Sequence, residues 1–169
     1  MESRVGAVAI GGTDDMAETE FRKREEALRE YYHMQELIDR FDERSLKIKS
    51  WSVTSCGVAL GFGVTENQPL LFAVAALGSL VFWYLEVLWK VMQGMIIKRS
   101  NDLETLLCQP SLTYDGPKIG HTFISGFRGA GYWRRFRKIT QYPNVRMPHM
   151  LIFIVGALLF IGSMLGFKL

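Results

Sequence analysis

Cysteine is scarce in this chain: Cys56 and Cys108 are the two among 169 residues. One falls in an apolar stretch and the other in a polar connector, so both should stay reduced and no disulfide framework is expected. Histidine is nearly as rare. His33, His121 and His149 each lack a second ligand at metal-binding spacing, which argues against a metal centre, and spacing assembles no nucleophile–base pair. His149 reads as an interfacial residue and His121 as a loop residue. No secretory leader is expected either, because the apolar run at 5–10 is short and Gly11-Gly12 and Asp14-Asp15 follow it. This inventory points away from an enzyme and implies no metal and no cofactor.

What is present is clumped. At 49% hydrophobic and 22% charged the average matches an ordinary soluble domain, yet the apolar residues gather in three runs. The last, Met150–Phe167, carries no charge until Lys168 and is long enough to cross a hydrocarbon core of about 30 Å. The second, Leu70–Leu85, continues through Glu86, Val87, Leu88, Trp89 and Lys90 into Val91–Ile97. The first, 48–65, is diluted by Lys49, Ser50, Ser52, Thr54, Ser55 and Cys56. A four-residue connector, Glu66-Asn67-Gln68-Pro69, joins it to the second and makes a hairpin the economical reading. The expected fold is an all-α integral membrane protein with three transmembrane helices, at 48–65, 70–97 and 149–167. A flexible arm (1–15) and a cytosolic helix (16–47) precede them, the second span runs on as helix to 107, and 108–148 connects it to the third.

Lysine and arginine placement sets the expected orientation. Eight precede Ile48, the 66–69 connector has none, nine lie between Lys98 and Arg146, and the tail has Lys168. The pattern favours an inside N-terminus, an outside hairpin tip and an outside C-terminus, in a multi-pass inner (plasma) membrane protein. It also accounts for a pI near 8.9 without nucleic acid.

Apolar residues recur at alternating spacings of four and three, through Ala27, Tyr31, Met34, Ile38, Phe41, Ser45 and Ile48. That is a coiled-coil seam. Its partner is either the extension of the second span, carrying Met95, Ile96, Leu103, Leu106 and Leu107, or another chain. Continued inward the stripe meets Ser52, Ser55, Ala59 and Phe62, which suits a helix contact or a pore wall. Gly57 with Gly61, and Gly162 with Gly166, have the small-xxx-small spacing of close helix packing, with Ala75 and Ser79 on the second span. Self-association into a homo-oligomer is expected.

In the connector, Arg128, Tyr132, Trp133, Arg134, Arg135, Phe136, Arg137 and Lys138 interleave rings with cations. This suits a segment at the inner headgroup layer, with anionic lipid as the favoured partner over nucleic acid. Glu86 and Lys90 share a helix face in the favourable order for an i, i+4 pair. One reading is a local salt bridge at the inner boundary, with Lys90 snorkelling and Trp83, Tyr84 and Trp89 forming a belt. The other puts Glu86, with Ser52 and Ser55, on a pore face or an inter-subunit contact, where a carboxylate ring favours cations.

The stretches Gln35–Arg40, Ser45–Thr54 and Phe82-Trp83-Tyr84-Leu85-Glu86 resemble a group of small bacterial membrane proteins, the SLATT-type membrane effectors. The resemblance covers roughly residues 30–107 and carries over to Trp51, Phe82, Trp83 and Glu86. It implies a pore-forming or membrane-perturbing effector of antiviral defence. The alternative read from the residues is a non-conducting anchor that holds a cytosolic protein partner through residues 16–47.

Overall fold

The computed structural model describes residues 11–128 and 131–167, leaving aside the side chains at 11–14, Phe123 and Arg128. It is all-helical, with no strand among the described residues: α1 (Gly11–Thr65), α2 (Pro69–Leu107), α3 (Ile119–Arg128), α4 (Tyr132–Thr140) and α5 (Pro143–Met164). Two of these, α2 and α5, are long and apolar enough to cross a membrane.

α1 is one unbroken helix of 55 residues, about 82 Å long at 1.5 Å per residue. No proline interrupts it, and its apolar stripe gives it a continuous partner in α2. It ends where Asn67 takes a left-handed conformation at φ 50°, which a short polar side chain tolerates. The Gln68 N–H then reaches back to Gly63 O and the Asn67 N–H to Val64 O. This is a Schellman stop, and Pro69 at the first position of α2 starts the return helix.

The hairpin is antiparallel along its whole length. Far from the turn its core is apolar: Ala27, Met34 and Phe41 of α1 pack on Ile96 and Leu103 of α2, and Phe41 stands edge-on to Trp89. An extended strap follows α2 and lays Leu112 and Tyr114 onto that core. Nearer the turn the seam changes character. Ser52, Cys56, Phe72, Ala75, Ala76 and Ser79 are buried there, and a Cβ at Gly63 would lie 2.6 Å from the Phe72 ring.

α5 lies against this second half, antiparallel to α2. At Gly156 an added Cβ would sit 3.0 Å from Phe72 O and 3.2 Å from Ala76 Cβ, so the missing side chain sets the approach. The glycines singled out for packing do not perform it within the chain: nothing lies within 4 Å of a Cβ at Gly57, Gly61 or Gly162. Gly57 and Gly61 face outward because the seam runs through Cys56 and Gly63. Gly166 is the left-handed stop of α5, at φ 86°, with Phe167 N–H bonded to Gly162 O.

Residues expected as an irregular connector form the strap and two short helices. α3 docks on α2, Gly126 against Met95. α4 buries Ile139 beside Val87, Val91, Met95 and Val145, with Tyr132 and Phe136 packed at the edge.

Candidate functional site

Glu86 is a carboxylate with no exposed surface, held where α1, α2 and α5 meet. α2 supplies the carboxylate, and α1 and α5 supply its donors. From α1, Ser45 Oγ donates to Glu86 Oε1 at 3.1 Å, and Lys49 Nζ pairs with the same oxygen at 3.1 Å. Seam position four residues apart puts both on the inward face. From α5, His149 Nε2 bonds Glu86 Oε2 at 2.9 Å. The other ring nitrogen, Nδ1, lies 2.9 Å from Ser52 Oγ back on α1. Ser52 and His149 are also fully buried.

The network is complete in two protonation states. With Glu86 ionised, Nε2 carries a proton. Nδ1 then either accepts the Ser52 hydroxyl hydrogen, as neutral imidazole, or donates to the Ser52 oxygen, as imidazolium. A proton can therefore enter or leave the ring while every member keeps a partner, which is how buried polar networks avoid the cost of an orphaned group.

Serine, histidine and carboxylate in one chain of bonds invite comparison with a hydrolase triad. Here the serine meets Nδ1 and the carboxylate Nε2, the reverse of the template order, and Ser52 lies mid-helix, where neighbouring N–H groups are spent on helical bonds. No member is exposed. The geometry pairs the Glu86 carboxylate with Lys49, Ser45 and His149. Among the described residues no group of three or more His, Cys, Asp or Glu is placed to hold a metal.

Several expectations are corrected by this geometry. Glu86 does not pair with Lys90; one helical turn further on, Lys90 Nζ reaches across to Asp42 Oδ1 at 2.6 Å and to Gln93 Oε1 at 2.8 Å. The Lys90 hydrogen bond holds the Asp42 carboxyl below the usual carboxylate range. The Ser52, Ser55 and Glu86 face does not exist as one face. Ser55 points outward and bonds its own backbone at Trp51 O, while Ser52 and Glu86 close on His149. His149 is a core residue of the junction and not an interfacial one.

A second buried glutamate has nothing in the local sequence to mark it. Glu30, 5% exposed, takes two 2.9 Å bonds from Arg99, one from Tyr114 Oη at 2.9 Å and one from the Lys118 N–H at 3.3 Å. Burial works to raise its pKa, but these bonds and the Arg99 charge outweigh it and hold the carboxyl below its usual range. Burial, then the bond to Glu30, pushes the Tyr114 hydroxyl well up.

The basic residues of α4 divide. Trp133, Arg134, Arg137 and Lys138 are exposed and line a shallow cleft of about 430 Å³ with Gln141. Arg135 is half-buried and turns toward Lys98 and Arg99 in a separate cleft, so it leaves the headgroup set. Arg128, assigned to that set, has a side chain outside the described residues.

No protein-family model matches this chain, and no curated protein or solved structure matches it.

Proposed function

We propose that this chain is a three-span inner-membrane protein, inside at its N-terminus and outside at its C-terminus, that self-associates as a membrane-perturbing effector of the SLATT-like kind. The Glu86 network acts as its lock. The observation that carries the reading is the fully buried Glu86–His149 pair, with half-buried Lys49 at its edge, joining three helices at one end of an apolar block.

Support for three spans comes from inversion of the usual pattern around that block. Large apolar side chains point outward on all three helices: Trp51, Val58 and Phe62 on α1, Leu70, Leu77 and Val81 on α2, Leu151, Leu158 and Ile161 on α5. Inside lie Ser52, Cys56, Ala75, Ala76 and Ser79, with the Phe72 ring seated against Gly63. That arrangement is unfavourable in water and suits lipid, where close approach of small residues drives helix association. α1 is less apolar than α2 and α5 because several of its polar residues face its partners or bond its own backbone.

An ionisable residue inside a span costs roughly 2.5–3.5 kcal/mol on insertion scales and is retained for function. Glu86 sits at the end of the block from which the long α1–α2 hairpin projects, so a force or ligand acting on the hairpin reaches the block through it. With Glu86 sealed, the monomer is the closed state, and opening is a population shift between assemblies. The exposed cations Arg134, Arg137 and Lys138, with Trp133, rest on anionic headgroups of the inner leaflet.

The test is inner-membrane potential, read with a voltage-sensitive dye in cells expressing wild type, Glu86→Gln or Glu86→Ala. Depolarisation that changes with either variant supports the lock. Unchanged potential in all three cultures favours the second reading, a non-conducting anchor for a cytosolic protein. Outward-facing Phe21, Tyr32 and Leu46 on α1, each more than half exposed, favour that reading.

A further inference from the structure

A cleft of about 370 Å³ opens between α2, the start of α3 and α4, in the hairpin half of the molecule. Four cations line it: Lys98 and Arg99 from α2, Lys118 at the entry to α3, and Arg135 from α4. Asp102 is the acid on the same wall, and hydroxyls of Thr122 and Ser125 with the His121 ring complete the polar lining. Lys118 Nζ is shared with Asp115 at 3.2 Å. Lys98 and Arg135 have no carboxylate partner among the described residues.

Arg99 is anchored from behind. Its Nε and one Nη2 hydrogen go to Glu30, so of five guanidinium hydrogens three remain for a ligand. The Glu30 contact, itself tied to Tyr114 and the Lys118 N–H, fixes the guanidinium plane and the start of α3 together. α3 has ten residues, and its N-terminal turn adds the partial positive charge of a helix start to the same wall.

We infer that this cleft is a binding site for a phosphorylated small anion. Guanidinium and ammonium donors converging from α2, the entry to α3 and α4, with cations exceeding acids, match a polyvalent phosphoryl group; the Thr122 and Ser125 hydroxyls donate to their own helix backbone and offer acceptor oxygens only. A bound phosphoryl group would bridge α2, α3 and α4, elements that otherwise meet through Met95 against Gly126 and the aromatic edge of α4. It would hold the α3–α4 arm against the hairpin.

Phosphate reaches a membrane protein either in solution or on a lipid. Arg99 lies 13 residues beyond Glu86 along α2, about 20 Å at the helical rise. If Glu86 marks the inner boundary, as proposed above, the α2 wall of the cleft lies on its cytosolic side, open to a soluble anion, while Arg135 on α4 neighbours the headgroup-facing Arg134, so the experiment separates the two sources. The site itself does not depend on that placement.

The experiment is calorimetric titration of the full chain, in nanodiscs of neutral phosphatidylcholine, with inorganic pyrophosphate. Saturable binding at one site per chain is expected, weakened about tenfold or more, about 1.4 kcal/mol, by combined Lys98→Ala and Arg135→Ala. Both are peripheral side chains whose loss leaves the helix cores intact. Asp102→Asn should tighten binding by removing the opposing acid, a gain that misfolding cannot mimic, and Arg29→Ala on the far face of α1 should leave it unchanged. Equal binding by the double variant, or the absence both of saturable pyrophosphate binding and of any response to phosphatidic acid, overturns the site. Retention by discs containing phosphatidic acid, without pyrophosphate binding, overturns the soluble source and assigns the cleft to lipid. Because the titration needs neither conduction nor a particular topology, its failure is separate from failure of the proposed function.

Discussion

Among the described residues two glutamates are buried, Glu30 and Glu86, and their surroundings differ. Glu30 sits in the half of the hairpin where apolar side chains point in and charged ones point out. Its partners are an arginine, a tyrosine and a backbone N–H. Glu86 sits where the pattern inverts, with serines and a histidine inside and leucine, valine and phenylalanine outside. Its partners are a lysine, a histidine and a serine. Arg99 stays protonated across the physiological range, so the Glu30 site is a fixed clasp. The His149 ring keeps a partner at both nitrogens whether Nδ1 accepts from or donates to Ser52. The first site reads as a structural clip on the strap and α3, the second as a joint that can change state.

The two sites can be separated by substitution. The largest effect is expected at the joint. Glu86→Ala leaves Lys49 and His149 without their acceptor, and breaking a buried ion pair from one side costs about 3–5 kcal/mol. A thermal melt in nanodiscs should show the block loosening, with His149→Gln milder because an amide can still donate to the carboxylate. A melt of Glu86→Ala indistinguishable from wild type would remove the joint from the account.

Next is the clip. Glu30→Ala strands Arg99, whose side chain is 16% exposed, and should cost about 3 kcal/mol. Hydrogen exchange should place that loss in the strap, α3 and the far ends of α1 and α2, and spare α5. The same site predicts a pH effect. The folded Glu30 pKa is lowered from 4.5, so its contribution is present above about pH 4.5 and is lost as pH falls through the lower folded value. Glu30→Gln should abolish that acid-dependent release of the strap; release that persists in the variant would assign it elsewhere.

Smaller effects test the surfaces. Replacing Arg134, Arg137 and Lys138 together by alanine should weaken selection of anionic over neutral lipid by roughly 1 kcal/mol per cation, measured with spin-labelled lipids in proteoliposomes. Equal selection by the variant would move α4 off the headgroups. Gly156→Ala should cost about 1–3 kcal/mol by overpacking α5 on α2. Gly57→Ala, facing open space, should be neutral or slightly stabilising by helix propensity.

The difference between the halves also explains what could be read in advance. Residues Ala27, Met34, Phe41 and Ile48 fall on a visible stripe because, in that half, apolar means inside. Past Ile48 apolar no longer means inside: the expected stripe holds at Ser52 and fails at Ser55 and Phe62, which face outward while Cys56 and Gly63 turn inward. Glu86 stands out as a charge in an apolar run. Its partner His149 does not, since it lies 63 positions away and nothing local marks it. Glu30 was hidden among many exposed acids on α1, and only Arg99 and Tyr114, brought back by the strap, distinguish it. Gly162 and Gly166 make no packing contact within the chain, and Gly166 serves as the helix stop, because a helix stop and a packing motif can share one spacing.

The central claim is that the inverted half crosses the membrane three times with the Glu86 joint at its inner end. Single cysteines at Asn67 and Ser163, in a background of Cys56→Ser and Cys108→Ser, would be tested in intact cells with a membrane-impermeant maleimide. Both positions should label from outside, and a cysteine at His33 should label only after the membrane is opened. Shielding of Asn67→Cys in intact cells, with labelling after permeabilisation, would mean that α1 does not cross and would contradict the account.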